Sequence, residues 1–411
     1  MPPDTQYDVI IVGGGPVGVA QALALTRFQR GLRVALCDRR EMSVPRDARA
    51  FAISAAVRRA FEALGVWQGM EGEAQPVTAM HITDSGQGDI SRPQFLAFDG
   101  EVAPGEPFAH LVPNRVMTAA LLEAARGQVE FVAPVEIAGW SGEGAFAALT
   151  LKDGRALRAP LIVAADGAQS ALRGMAGIAV ASHDYRQMGV VTTIGHALDH
   201  KGVATQHFRP AGPFAALPLK DDASGRHRSS LVWTETAETA AELRALPVEE
   251  AARRIEDAMG FSLGSVTVEE PLQAFPLRLQ IAKNFAGPRL ALIGDAAHVV
   301  HPIAGQGLNL GFKDVAALSE LVIDALRLGL DHGGADVLAR YERWRRLDTA
   351  LMAAVTDSLN RLFSNDVAPV RALRDFGLGV VDRLTPVRSA LIRRAAGLDA
   401  RGPKLLTGMP L

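Results

Sequence analysis

The chain has 411 residues, 48% hydrophobic and 21% charged, enough to bury a large core in two to three domains and too apolar for wholesale disorder. Its 43 basic and 45 acidic residues leave a net charge of −2, so nothing global points to nucleic acid as a partner. The balance is uneven: residues 340–411 hold thirteen Arg/Lys against seven Asp/Glu, a local excess that suits a solvated helical face or contact with an anionic membrane.

Cys37 is the single cysteine, so no intrachain disulfide can form, which suits a reducing cytoplasm. The start, MPPDTQYD, lacks the basic region of a signal peptide. Val9 to Thr26 is uncharged, but Gly13-Gly14-Gly15-Pro16 would break a spanning helix, so no transmembrane segment is expected.

In chain order, Tyr7 to Val12 reads as a β-branched strand, followed by Gly13-Gly14-Gly15-Pro16-Val17-Gly18, a helix, and a second strand from Arg33 to Cys37 that ends at Asp38. This is a dinucleotide fingerprint in its required context. Gly13, Gly15 and Gly18 allow the tight turn, the close backbone approach to a pyrophosphate and the close helix–strand packing; Asp38 stands where a carboxylate accepts ribose hydroxyls. Arg46 and Arg49 follow. Alone they read as surface charge, but beside a pyrophosphate a guanidinium fork is a clamp.

Val77 to Thr83 and Phe95 to Phe98 read as strands outside the βαβ rhythm. Asn114 is placed to N-cap a helix running to about Ala125, with Arg115 in its first turn against the helix dipole. Phe146 to Leu151 and Arg155 to Val163 read as a hairpin across Asp153-Gly154. The second strand runs into Asp166-Gly167 and Ser170, a pattern that a turn and helix cap would also produce.

From about Ala181 to Ala282 the pattern becomes an antiparallel sheet, with strands at 190–194, 204–208, 214–219, 229–234, 266–268 and 273–279, and helices at 236–245 and 248–259. No second glycine-rich turn occurs there, so a second dinucleotide domain is not expected. Arg289 to Ile293 reads as another buried strand, stopped by Gly294-Asp295. A loop with His301, Pro302, Gly305, Gln306, Gly307 and Asn309 follows, and from about Leu308 the spacing turns helical. A helix N-terminus there would offer free N–H groups to an acceptor-rich ligand. After Tyr341 the chain is helical and Arg-rich, with Leu351, Val355, Leu359 and Leu362 on one stripe, divided by Pro369 and Pro386.

Taken together, GGGPVG at 13–18, ADGAQS at 165–170 and LIGDAAH with HPIAGQGLNLG at 292–311 resemble the single-component FAD-dependent aromatic hydroxylases, and HPIAGQGLNLGFKD with the chain's ending resembles the ubiquinone-biosynthesis branch. The resemblance covers essentially the whole chain. It implies an α/β fold, p-hydroxybenzoate-hydroxylase-like: a Rossmann-like FAD-binding domain from 1–75, 105–180 and 283–345, an inserted antiparallel-sheet substrate domain from 76–104 and 181–282, and a helical C-terminal segment at 346–411.

It further implies FAD held by Gly13, Gly15, Gly18, Asp38 (more often Glu in the family), Arg49, Arg115, Asp166, Gly294, Asp295, Gly305 and Gly307, with Leu308 and Asn309 at the flavin pyrimidine edge. His301, Pro302, Gln306, Leu308 and Asn309 are the implied catalytic set, His301 and Pro302 facing the substrate ring. The implied reaction is hydroxylation of a polyprenylated phenol by O₂ through a flavin C4a-hydroperoxide, with NAD(P)H or a reductase partner as electron donor. Other ubiquinone-biosynthesis proteins would be partners, and the chain would be cytoplasmic, peripheral at the inner membrane. Alternatives are hydroxylation of a small soluble phenol, reduction of prenyl chains on the same fold, or a non-catalytic FAD-binding scaffold. The Trp-x-Trp-x-x-Pro signature of flavin halogenases is absent; Trp233-Thr234-Glu235 does not match it.

Overall fold

Four short runs, Val9–Val12, Val34–Cys37, Leu161–Ala164 and Leu290–Leu292, are apolar at every position and buried at every position. Strands buried on both faces belong in a parallel sheet covered by helices. The computed structural model describes residues 5–84, 94–99, 101–363, 396–398 and 402–411, and there these runs form the centre of a six-stranded sheet. Its order is Glu130–Val132, Val34–Cys37, Val9–Val12, Leu161–Ala164, Leu290–Leu292, Ala286–Gly287, parallel except for the last pair. Helix Pro16–Phe28 starts with proline at its first turn, where the missing N–H costs nothing, and packs against helix Gln306–Arg327.

The second layer is a large sheet ordered His298–Val299, Gln273–Ala282, Val180–His196, His227–Thr236, Gly212–Leu219, Val203–Arg209, Ala79–Asp84, Gln94–Asp99, with Val266–Val268 added on Val180–His196. It is antiparallel as expected except for one pair, Val203–Arg209 with Ala79–Asp84. It also draws the strand His298–Val299 from the segment that carries the glycine-rich loop, so the loop is stitched directly to this sheet.

Three other expectations need correction. The run Arg155 to Val163 is two strands, because Pro160 has no N–H for a ladder: Ala156–Ala159 completes the hairpin and Leu161–Ala164 enters the parallel sheet. Asn114 does not cap its helix; its amide donates to Asp47 and its carbonyl oxygen accepts from Thr118. The C-terminal segment is not simply helical. Helix Ala335–Phe363 runs across position 346, and Lys404–Thr407 is a short 3₁₀ turn whose Leu405 and Leu406 enter the main core. Leu359, Leu362, Pro369 and Pro386 lie outside the described side chains. No helix of the described residues is long and apolar enough to cross a membrane.

Candidate active site

The fingerprint glycines divide the work that their spacing predicts. A Cβ on Gly13 would sit 2.1 Å from the carbonyl oxygen of Ala165, and one on Gly18 would sit 1.9 Å from that of Gly13, so both positions exclude any side chain. Gly13 also holds φ at 121°, open to glycine alone. Gly15 has nothing within 4 Å of its absent Cβ; it is the open face of the cradle. Asp38 reaches back so that one carboxylate oxygen accepts the Gly14 N–H at 2.6 Å and the other the Arg40 N–H at 2.8 Å. A cradle of this shape with an acidic residue at its lip fits a dinucleotide pyrophosphate and ribose.

Gly294-Asp295 ends the strand Leu290–Leu292 and faces the same cleft. Asp295 is open to the cleft and has no hydrogen-bond partner among the described residues, while protein mass on its other sides pushes its carboxyl up, against the pull of His298, Arg49 and Arg278. A partnerless carboxylate in a cleft suits hydroxyl donors such as a ribityl chain. Arg49 stands near it, paired at 2.7 Å with Asp47 and lying over the rings of Phe51 and Phe275. Arg115 is 55% exposed and lies 3.6 Å from Glu73.

Behind this loop lies a buried ionic brace that the sequence reading missed. Asp314 accepts from the Gly294 N–H at 2.9 Å and from Arg345 at 2.7 Å, and pairs with His298 at 2.6 Å. Burial opposes its charge, yet His298 and Arg345 hold its carboxyl below the usual carboxylate range. Arg345 continues to Asp348, and Tyr341 donates to the Leu292 carbonyl oxygen at 2.7 Å. The signal was present: Asp314 closes the GFKD motif, and Tyr341 and Arg345 are four apart on one helix. Asp166 is a brace of the same kind, accepting from the Ser170 hydroxyl and the Leu172 N–H, with Arg173 tying Ala168 to Ala296. Both its oxygens thus support the turn and the start of the following helix.

Helix Gln306–Arg327 begins two residues earlier than expected. Gly305 precedes it at φ 62°, and a Cβ there would press on Ala52 at 3.2 Å. The N–H groups of Gly307 and Leu308 have no acceptor within the helix, and a Cβ on Gly307 would make only ordinary contact, 4.0 Å from Val300. Asn309 is not a free catalytic group. Its side chain accepts from the Ser54 N–H and donates to the Ala52 and Gly305 carbonyls, splicing the helix start to strand Ala50–Ser54.

Between this helix start and the large sheet lies a cavity of about 300 Å³. Pro302, Ile303, Gly305, Gln306, Asn309 and Arg49 form one wall; apolar side chains of the sheet, such as Met80, Val191, Leu217 and Val232, form the other. Among the described residues Arg49 is its single charged lining group. Leu308 and His301 do not line it. Leu308 packs half-buried against the parallel-sheet core. His301 turns away from the cavity, fully buried, edge-on to Tyr185 with ring centroids 5.1 Å apart. Neither ring nitrogen has a partner, and burial drives its pKa down to about 4. It is a neutral packing residue at neutral pH, which corrects the expectation that it faces the substrate ring.

The FAD binding domain family matches residues 6–356. The chain is 40% identical to the ubiquinone hydroxylase UbiL of Rhodospirillum rubrum, over 99% of this chain and 94% of that protein. It is 33% identical to the 3-demethoxyubiquinol 3-hydroxylase of Escherichia coli, over 95% and 98%. Among solved structures, p-nitrophenol 4-monooxygenase PnpA of Pseudomonas putida DLL-E4 superposes with a TM-score of 0.77 at 21% identity, over 97% of this chain and 100% of that one. That likeness shows the fold. The glycine cradle, the partnerless Asp295 and the open helix start fit the cofactor that these matches imply, and the chain belongs to the FAD-dependent flavoprotein hydroxylases, in the branch of the ubiquinone-biosynthesis enzymes, as an FAD-dependent monooxygenase.

Proposed function

We propose that this monooxygenase hydroxylates the aromatic ring of a polyprenylated phenol in ubiquinone biosynthesis. The observation that carries the reading is the apolar cavity of about 300 Å³ that opens against the glycine-rich start of helix Gln306–Arg327; the names of the relatives at 40% and 33% identity support the substrate class. Bound FAD, reduced by NAD(P)H or a reductase partner, supplies an activated oxygen atom from O₂.

The chain's own residues do the rest. Gly13, Gly15 and Gly18 cradle the pyrophosphate, Asp38 and Asp295 accept from cofactor hydroxyls, and Arg49 adds positive charge beside Asp295. The N–H groups of Gly307 and Leu308 stabilise negative charge at the isoalloxazine pyrimidine edge. The large sheet, read as the substrate domain, presses Leu217, Val232 and Met80 onto the ring, fixing its distance and excluding water.

A substrate whose tail stays in a bilayer needs an enzyme that meets the membrane surface. Helix Ala335–Phe363 exposes Leu347, Leu351 and Val355, four residues apart, beside Arg340, Arg343 and Arg346. That pairing of apolar stripe and basic flank supports peripheral contact with an anionic membrane. Incubation of FAD-loaded protein with NAD(P)H, O₂ and a prenylated phenol tests the proposal. A product heavier by one oxygen atom supports it; NAD(P)H oxidation unchanged by any phenol refutes it. A small soluble phenol is the second reading, favoured if a tailless ring is turned over equally well.

A further inference from the structure

Gln206 sits in the cavity wall, on strand Val203–Arg209, 5% exposed, and its side-chain amide has no hydrogen-bond partner among the described residues. Its cross-strand neighbours explain why. Ala215 lies on one side and Ile82 on the other, and the same row continues through Val232 and Val191, none of which offers a side-chain donor or acceptor. Leaving an amide unpaired in an apolar wall costs stability that a leucine of similar size would not. A bound group that completes its hydrogen bonds removes that penalty.

Two hydroxyls share this predicament. Ser230 lies one row away, beside Leu217, and Thr234 one row the other way, beside Pro213; both line the cavity, the Thr234 hydroxyl is buried without a partner, and the Ser230 hydroxyl makes no hydrogen bond among the described residues. On the facing wall Asn309 is engaged in its splice to Ala52 and Ser54, and Arg49 pairs with Asp47 while its Nε keeps no partner. One strand separates Gln206 from Ser230, ~10 Å across the strands and ~7 Å along them, so ~12 Å in all at the usual strand dimensions, a span that a ring with its substituents can bridge.

We infer that Gln206 anchors the oxygenated edge of the substrate ring, with Ser230 as the second polar contact. A carboxamide presents an acceptor and a donor side by side. Its oxygen accepts the phenolic O–H, and its NH₂ donates to an oxygen on the adjacent ring carbon. The ligand class is therefore a ring bearing oxygen substituents on neighbouring carbons, held with no charged partner. This rests on the hydroxylase reading above and deepens it by naming the group that sets ring orientation.

The test uses FAD-loaded protein, titrated with a prenylated 2-methoxyphenol and with the matching prenylated benzene, reading the perturbation of the flavin absorbance. Wild-type protein should bind the oxygenated ring more tightly. Gln206→Leu should weaken that ring by about tenfold or more while leaving the benzene within about twofold, and should divert turnover from hydroxylated product to H₂O₂. Without ligand, Gln206→Leu should melt higher than wild type, because it removes an unpaired buried amide; Gln206→Met repeats the comparison should leucine pack badly. Unchanged selectivity between the two rings in both variants, or a lower melting temperature in both, overturns the anchor while leaving the hydroxylase reading intact. Wild-type protein that binds neither ring overturns both.

Discussion

The cofactor cleft and the substrate cavity meet at the start of helix Gln306–Arg327, yet they are built on opposite principles. The cleft is made of positions that tolerate one residue type: Gly13 and Gly18 jammed against carbonyl oxygens, Gly305 at positive φ, Asp295 open in front and Asp314 locked behind. The cavity is made of side chains that alternate along a sheet and could be exchanged for others of similar size. The difference teaches where each property is encoded. Chemistry resides in backbone geometry and buried charge, and substrate choice resides in the shape of an apolar wall with a few polar groups on it.

If that contrast is right, damage to the brace should cost the fold, damage to the cleft should cost the cofactor, and damage to the cavity wall should cost only selectivity. The largest effect is expected for Arg345→Met. It leaves Asp314 with His298 alone and Asp348 with Lys313 alone, and breaking a buried pair from one side typically costs ~3–5 kcal/mol. Denaturant unfolding should show that loss, with FAD content falling in parallel.

Acid comes next. Burial lowers His301 and His110 from 6.5 to about 4. Between those values the unfolded chain binds a proton at each site and the folded chain does not, so stability falls as pH drops from 6.5 towards 4. Each histidine contributes on the order of 3 kcal/mol to that slope. His301→Leu should remove its own share of the slope, to which His196, also lowered by burial, contributes as well, measured by urea unfolding across the interval, without abolishing turnover at neutral pH.

In the cleft, Asp295→Ala should leave the melting of the cofactor-free protein near wild type and weaken FAD by ~1–3 kcal/mol, the loss of a charged acceptor; fluorescence titration reads it directly. The smallest effect on stability belongs to the wall. Leu217 is half-buried, so Leu217→Ala should cost about 1 kcal/mol or less, leave FAD binding unchanged and raise KM for a prenylated phenol. An equal loss of FAD in Leu217→Ala would break the division of labour.

The same contrast explains what could be read from the sequence. Gly13, Gly18 and Asp38 stand where the fingerprint placed them because spacing alone dictates that turn, and the strand at 290–292 was legible as an apolar run closed by Gly294. Asn309 and Asp166 were visible as motif residues, but not that their side chains are consumed by a splice and by support of a helix start; that depends on which backbone groups arrive beside them. His301 was expected to face the ring from the resemblance of the His301-Pro302 motif to the family. A loop residue points to one side or the other by a single dihedral, and here it turns to Tyr185. The Asp314–Arg345 brace spans thirty-one residues and no local pattern announces it. Gln206 looked like any polar residue in an alternating strand until the sheet placed it among Ala215, Ile82 and Val232.

The central claim is that an apolar cavity beside a braced FAD cleft hydroxylates a ring that carries a prenyl tail. Single-turnover oxidation of the reduced, FAD-loaded protein by O₂, with a prenylated phenol and with its tailless counterpart, tests it most directly. Buried tail is worth roughly 25 cal/mol per Å², so the prenylated ring should be hydroxylated at far lower concentration, with one oxygen atom incorporated per flavin. Equal half-saturation for the two rings, or H₂O₂ as the sole product with both, would contradict the account.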